Sequence, residues 1–487
     1  MPRVSLPIPL GFYQSESAPM SSQRCINWIP MVPEGEALNN RALMQPSGVT
    51  QFAATSLGAC RGGRVFAEVP YFVVGNTLVS VSVLKVVTTH GTITGTKRVV
   101  MADNGSQLVI VVPGGDAYAF ALDGETLTQI TSENFQLSDT VSFYRGFFVF
   151  TTTDGKQLFV SNLNAPLTFN ALDFGSAEGD PDRIVTQIVD HDELSIIGSK
   201  TTEVFRNIGA SAGDFPLQII PGAFTQKGAH TKYGVVKFDN TYLFIGGGEN
   251  ELTSIWRQSS SSSAVKISTN VIDNAIQDFN EQEIANAFTM TFSKKGQFFA
   301  LFTFYSLRIP SKTFVYNGTA SALAGFSVWF EFQSGVTDAA WRVNTIVKAY
   351  GKLLCGDGVD GRIGEIVNNV YTEYDEQVFR QAALKPLSQD GIKIFAGELE
   401  ADFEAGTGLT LGQGSDPIVR MDYSDDGGRT FSSEFSRSIG KIGEYGHETV
   451  WNRQGRFPNS RTIRFTVTDP VKATLIRIAA TPELGSQ

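Results

Sequence analysis

Four histidines, three cysteines, a triple-glycine run and a short acidic stretch are the residues whose types could do chemistry. A histidine works as a general base or metal ligand when Ser, Cys, Glu or a second His stands at a fitting spacing. His90, His191, His230 and His447 are scattered and have no such partner. His191-Asp192-Glu193 falls at the expected start of a strand and reads as a solvated turn. Gly246-Gly247-Gly248 follows an apolar run, but neither Lys-Ser/Thr nor a helical pattern comes after it. A turn is therefore expected there, not a phosphate-cradling loop. The stretch Asp357, Asp360, Glu365 misses the spacing of a calcium-binding loop; a hairpin turn is expected, with a weak cation site as the open alternative. Cys25, Cys60 and Cys355 are widely spaced with no C-x-x-C, which favours buried free thiols over a disulfide or zinc site. No catalytic residue, metal or cofactor is expected.

The sharpest local motif is Ser424-Asp425-Asp426-Gly427-Gly428-Arg429-Thr430-Phe431. It resembles the Asp-box, S-x-D-x-G-x-T-W/F, with Phe431 where Trp is usual. Ser424, Asp426, Gly428, Thr430 and Phe431 are the matching positions. The expected role is a structural turn. Asp426 accepts backbone N–H bonds, Gly428 takes a positive φ, and Phe431 anchors the next strand in the core. Asp-boxes raise a glycan-binding or sialidase-like propeller as the alternative, and Leu307-Arg308-Ile309-Pro310 imitates the R-I-P of sialidases. In that family R-I-P comes early and several Asp-boxes follow. Here it comes late, only one Asp-box is found, and a Tyr nucleophile with three substrate arginines cannot be placed.

The elements that must position these residues read as all-β. From about residue 60 to 380 an apolar run, a turn and a second apolar run recur. The pairs are 71–74 with 78–79, 108–112 with 118–120, 147–150 with 158–160, and 194–197 with 204–205. Then come 242–245 with 255–256, 298–302 with 314–316, and 353–355 with 363–366. Gly75-Asn76, Gly114-Gly115-Asp116, Asp154-Gly155 and Asp357-Gly358 link them, residues that accept positive φ in hairpin turns. Spacings of roughly 35 to 55 residues match the blade period of propellers. A six- or seven-bladed β-propeller over 49–380 is expected, with a tandem of β-sandwiches as the competing architecture.

Residues 1–48 are punctuated by prolines and read as an extended N-terminal arm. Phe12, Tyr13, Trp28 and Ile29 argue against free disorder and make it a candidate assembly arm, packed on its own propeller or on a neighbour. One amphipathic helix is predicted, with Asn270 as cap, Val271, Ile272, Ala275, Ile276 and Phe279 on its apolar side, and Asp273, Asn274, Gln277 and Asp278 opposite. The serine run 259–263 before it reads as a flexible loop. Residues 381–487 alternate apolar and polar positions and carry turn signals at Asp390-Gly391 and 406–414, the pattern of a small C-terminal β-sandwich.

Lys plus Arg is 39 and Asp plus Glu is 49, a net charge of −10, with charged residues at 18%. No block of five basic residues exists, so tight binding to DNA or an anionic membrane is not expected. The N-terminus, Met1-Pro2-Arg3-Val4, has no apolar signal region after it, and no 18-residue apolar stretch predicts membrane insertion.

Taken in order, several strings carry a family resemblance. They are Gly11 to Ser15 (GFYQS), Ser22 to Pro30 (SQRCINWIP), Gln45 to Val49 (QPSGV), Ala177 to Asp182 (AEGDPD) and Phe224 to Gly228 (FTQKG). Later come Ser436 to Gly446 (SRSIGKIGEYG), Trp451 to Arg456 (WNRQGR) and Thr468 to Lys472 (TDPVK). The ordered set, spanning nearly the whole chain, resembles the packaged-DNA-stabilisation proteins, or tail accessory (nozzle) proteins, of short-tailed bacteriophages. The resemblance implies a homohexameric ring in the virion tail, assembled in the host cytoplasm. It implies a place beneath the portal and the head-to-tail adaptor, contacts to tailspike or tail fibre and tail tip proteins, and a lumen through which genomic DNA passes without sequence-specific binding. It implies no enzyme.

Overall fold

The computed structural model describes residues 3–177, 179–209, 215–388, 394–457 and 460–484. The Asp390-Gly391 turn and Glu178 of the resemblance lie outside them.

All seven apolar pairs form hairpins, and each supplies the two central strands of one blade. Six blades run consecutively from Cys60–Phe66, the innermost strand of the first, to Trp329–Phe332, the outermost of the sixth. The seventh has only three local strands, Val343–Ala349, Lys352–Asp357 and Arg362–Val367. Its fourth is Gly48–Ala54, which pairs antiparallel with Arg362–Val367 in the register Ile366↔Val49 and Ile363↔Ala53. The chain thus closes the ring with its own N-terminal segment, and the blade number is seven. Burial follows this radial order. Separate apolar clusters fill the gaps between successive blades, for example Phe72, Val79, Leu354 and Ile363 between the seventh and the first. Phe148, Phe150, Val109 and Val111 fill the gap between the second and third. A single hairpin would leave one face wet; stacking each on the next buries it.

A second repeat was hidden from sequence periodicity. In five blades the first two strands are joined by two residues that both have positive φ: Ala67-Glu68, Arg145-Gly146, His191-Asp192, Lys295-Gly296 and Tyr350-Gly351. This is the backbone of a type I′ hairpin turn, whose twist matches that of the flanking strands.

Several expectations are corrected. Gly246 and Gly247 are not in a turn but end the strand Thr241–Gly247. A Cβ on Gly246 would lie 1.8 Å from the Gly228 carbonyl oxygen, so only glycine lets the two backbones meet there. The serine run is a hairpin rather than a flexible loop, joining Ser254–Ser260 to Ser263–Lys266. The helix Asn270–Gln277 is capped by Thr269, whose side chain accepts from the Ile272 N–H, one residue before the expected cap. Asp273 is buried rather than solvated, bound by Lys266 at 2.8 Å and by the Ser268 hydroxyl at 2.5 Å. Two shorter helices, Glu281–Ala285 and Gly318–Ala324, were not predicted.

The C-terminal unit is a sandwich of two sheets, and the arm completes both. In one, Ile29–Met31 and Ala42–Met44 extend Leu475–Leu484, Ile394–Phe403 and Thr449–Phe457, while Val4–Leu6 also pairs with Leu475–Leu484. In the other, Ser22–Ile26 joins Arg380–Ala383 antiparallel, followed by Ser460–Val467, Ile418–Ser424 and Phe435–Ser438. Ser22–Ile26 also pairs in parallel with Trp329–Phe332, through Ile26↔Glu331. The sixth blade, the arm and the sandwich therefore share one 11-stranded sheet. Their core is continuous too, with Phe299 and Phe330 of the blade in the same cluster as Trp28, Phe465 and Trp451.

Candidate functional site

The candidate assembly residues of the arm fall into two groups. Trp28 is fully buried in its own chain, donating through Nε1 to the Ala473 carbonyl at 3.0 Å and stacking on Phe403. Phe12 is buried edge-on against Phe314, and its N–H donates to the Trp329 carbonyl. Ile29 is half-buried. Tyr13, in contrast, is 42% exposed. Of the two surfaces the arm could pack on, the structure shows its own chain, and it leaves Tyr13 facing solvent.

The Ser424–Phe431 turn comes to rest on this same arm. Asp426 Oδ1 accepts from the N–H groups of Arg429 and Thr430, both at 2.9 Å, and Oδ2 accepts from the Thr430 hydroxyl at 2.6 Å. Ser424 Oγ donates to Asp426 at 2.7 Å and accepts from the Gly428 N–H at 2.8 Å. The Thr430 hydroxyl and N–H, with Ser424, hold the Asp426 carboxyl well below the usual carboxylate range. Gly427 has φ +77°, and a Cβ there would lie 2.7 Å from Pro19 Cα; the turn needs a glycine both for its conformation and for its contact with the arm. Phe431 departs from expectation: it is half-buried beneath the Arg464 guanidinium, 3.6 Å from its ring centre, rather than a core anchor.

The seam between arm, sixth blade and sandwich is charged as well as apolar. Arg24 grips Glu331 with both Nε (2.7 Å) and Nη2 (2.8 Å), and Nη2 also reaches Asp338 at 2.9 Å. Lys312 adds contacts to Glu331 at 3.3 Å and Asp338 at 2.8 Å. Burial disfavours the Glu331 charge, but Arg24 and Lys312 together outweigh it and hold the carboxyl below its ordinary range. Asn27 stitches the same seam, donating to the Gln333 and Phe379 carbonyls and accepting from the Gln333 N–H. Beside it is a cavity of about 110 Å³, lined by Ile29, Trp341, Glu373, Lys294 and Arg380 among others. Glu373 accepts from Trp341 Nε1 at 2.5 Å while its Oε2 has no partner. Burial pushes its carboxyl up to about 7, against the hydrogen bonds from Ser334 and Trp341. Arg380 donates to the Val471 and Asp469 carbonyls, and its buried Nε has no partner. No sequence signal marks these groups, because their partners lie far along the chain.

The remaining chemistry-bearing residues are spoken for separately. His191 bridges Asp190 and Asn240, His90 meets Ser80, His230 meets Thr253, and His447 meets the Ser438 carbonyl. Arg308 of the R-I-P string donates to the Asp278 carbonyl and pairs with Glu283 at 3.4 Å, tying its loop to a helix. Asp357 accepts from Val359 and Asp360 N–H groups and pairs with Arg342 at 2.6 Å, while Arg342 and Arg362 cover Asp360. That stretch is a hairpin turn whose cations are the protein's own arginines. The three cysteines are buried and free; burial pushes the Cys60 thiol up to about 11 and the other two higher. Among the described residues no cluster of three His, Cys, Asp or Glu could hold a metal, and no helix is long and apolar enough to cross a membrane.

The architecture defines a class: a seven-bladed β-propeller, closed and then welded to a β-sandwich by its own N-terminal arm. The particular family follows from sequence comparison. Residues 4–371 match the family model described as Bacteriophage P22 Gp10, beta-propeller, and residues 381–483 match the one described as Bacteriophage P22 Gp10, beta-sandwich. The chain belongs to this family of phage stabilisation proteins and is a phage virion protein. No curated protein matches it. Among solved structures, a catalytically inactive virginiamycin B lyase from Staphylococcus aureus with quinupristin aligns at 11% identity over 65% of this chain and 98% of that one, with a TM-score of 0.43. The WD40 repeats of RRP9 align at 9% identity over 66% and 99%, with a TM-score of 0.39.

Proposed function

We propose that this chain is a subunit of the tail nozzle: a homohexameric ring that closes the channel behind the packaged genome and later conducts it out. The observation that carries the reading is the family match, which spans both the propeller and the sandwich. The fold suits a mechanical part. A shared 11-stranded sheet and a continuous core make propeller and sandwich one load-bearing body instead of two domains on a linker. Identical subunits close such a ring through heterologous contacts related by rotation. Exposed arm residues such as Tyr13 are the natural contacts to the next subunit or to the adaptor above. Tailspike or fibre and tail tip proteins dock on the outer faces. A net charge of −10 repels DNA, so the genome slides without sticking. The role is structural, with no reaction to catalyse.

The test is a phage from which this gene alone is removed. Heads should fill and then lose their DNA to added nuclease, and supplying the protein in trans should restore nuclease-resistant, infectious particles. Full resistance and infectivity without the protein would contradict the reading.

A further inference from the structure

At one mouth of the propeller axis a cavity of about 270 Å³ gathers three cations: Arg61, Lys97 and Arg98. None of the three makes an ion pair with any described carboxylate. Arg61 spends its guanidinium on the carbonyls of Lys97, Gly75, Ile93 and Thr94. Lys97 Nζ donates to the Pro113 carbonyl at 3.0 Å. The Arg98 guanidinium lies over the Phe288 ring, 4.2 Å from its centre, and Nη1 donates to the Asn344 carbonyl and Oδ1. Among the described residues nothing accepts from its Nε or Nη2. The nearby acids are already neutralised: Asp139, which faces Tyr233, is bound by Lys232 at 2.6 Å, and Asp357, near Tyr305, by Arg342 at 2.6 Å. The cavity lining holds no carboxylate, and it adds Asn286, Asn344, Tyr233 and Tyr305.

Clustered cations are self-repelling, and a partly dehydrated guanidinium without a counter-ion is costly. Burial lowers the proton affinity of both Arg61 and Arg98. Such an arrangement in a chain of net charge −10 is not explained by the passage of DNA. We propose that this axial cavity is a binding site for a small phosphate-class oxyanion. Arg98 is its main ligand through Nε and Nη2, Lys97 adds a second charge, and the Tyr305 hydroxyl lines the same space. A guanidinium fork matches two oxygens of such an anion, and a doubly charged phosphate suits several cations better than a single carboxylate. The cavity is roomy enough to admit such an ion. The anion would tie together the first, second, fifth, sixth and seventh blades, whose residues line the cavity, and so stiffen the ring where it closes.

The test is titration of the full chain with inorganic phosphate at constant ionic strength, followed by phosphorus-31 NMR line broadening and by thermal melting against chloride. Saturable broadening and a melting temperature that rises with phosphate are expected. Arg98→Gln should weaken binding by roughly tenfold or more, as loss of a charge-assisted ligand does. Because Arg98 also packs on Phe288, Lys97→Gln serves as the second variant: its side chain is surface-exposed, so it should fold normally and still bind several-fold more weakly. No saturable phosphate signal with the native chain would overturn the proposal. So would equal binding by native, Lys97→Gln and folded Arg98→Gln proteins.

Discussion

Arg24 of the arm and Glu331 of the sixth blade form a two-pronged ion pair, 2.7 and 2.8 Å, beside the parallel strand pairing that fuses propeller to sandwich. Glu331 is almost wholly buried, so its charge depends on this partner. Arg24→Ala should destabilise the protein by about 3 kcal/mol, the lower end of the range for breaking a buried pair, because Lys312 remains nearby. Urea unfolding measures it. The same pair sets an acid limit. The folded-state carboxyl titrates below its unfolded value, so its contribution is complete above the unfolded value and is lost as pH falls through the folded one.

Glu373 has the opposite sign. Its folded carboxyl is raised to about 7 by burial, so the folded state holds a proton that the unfolded chain releases near pH 4.5. Stability should therefore fall as pH rises between those values, by on the order of 3 kcal/mol, and stay lower above pH 7. Glu373→Gln keeps an acceptor for Trp341 Nε1 and removes the titration. Unfolding free energies of the native and variant chains at pH 5 and pH 8 should differ in slope, with the variant flat over this window.

Much of the fold was legible because it rests on local patterns. The seven apolar pairs are visible as runs such as Leu108–Val112 and Phe298–Phe302, and turn residues such as Asp154-Gly155 mark where they reverse. Blade number was not legible, since the seventh blade borrows Gly48–Ala54 from some 300 residues away in the chain. Turns such as Ala67-Glu68 carry positive φ without glycine or asparagine, and nothing in their side chains announces it. The turn of Ser424–Phe431 was readable from spacing, but its seat on Pro19 was not. Arg24, Glu331, Glu373 and Arg98 escaped notice because a buried charge is defined by what surrounds it, and those surroundings come from distant strands.

Trp28 and Tyr13 should separate folding from assembly. Trp28→Ala removes a fully buried indole and its hydrogen bond to Ala473, and should cost about 3–5 kcal/mol. Tyr13→Ala should change stability by less than about 0.5 kcal/mol, as surface substitutions do, while reducing ring formation. Thermal or urea unfolding together with analytical ultracentrifugation of the purified chains distinguishes the two effects.

Asp426 should act locally. Asp426→Ala removes the acceptor of the Arg429 and Thr430 N–H groups. Hydrogen exchange at those two amides should quicken by roughly tenfold, as for one lost hydrogen bond. Exchange in the blades should be unchanged.

Placement in the tail as a closing ring is tested most directly by cryo-electron microscopy of virions carrying a small epitope at the Ser261-Ser262 hairpin tip, which is exposed at the end of the fifth blade. Epitope density repeated around the tail axis, below the portal and adaptor, is the expected result. Virions that lack the epitope, or that carry it away from the tail axis, would contradict it.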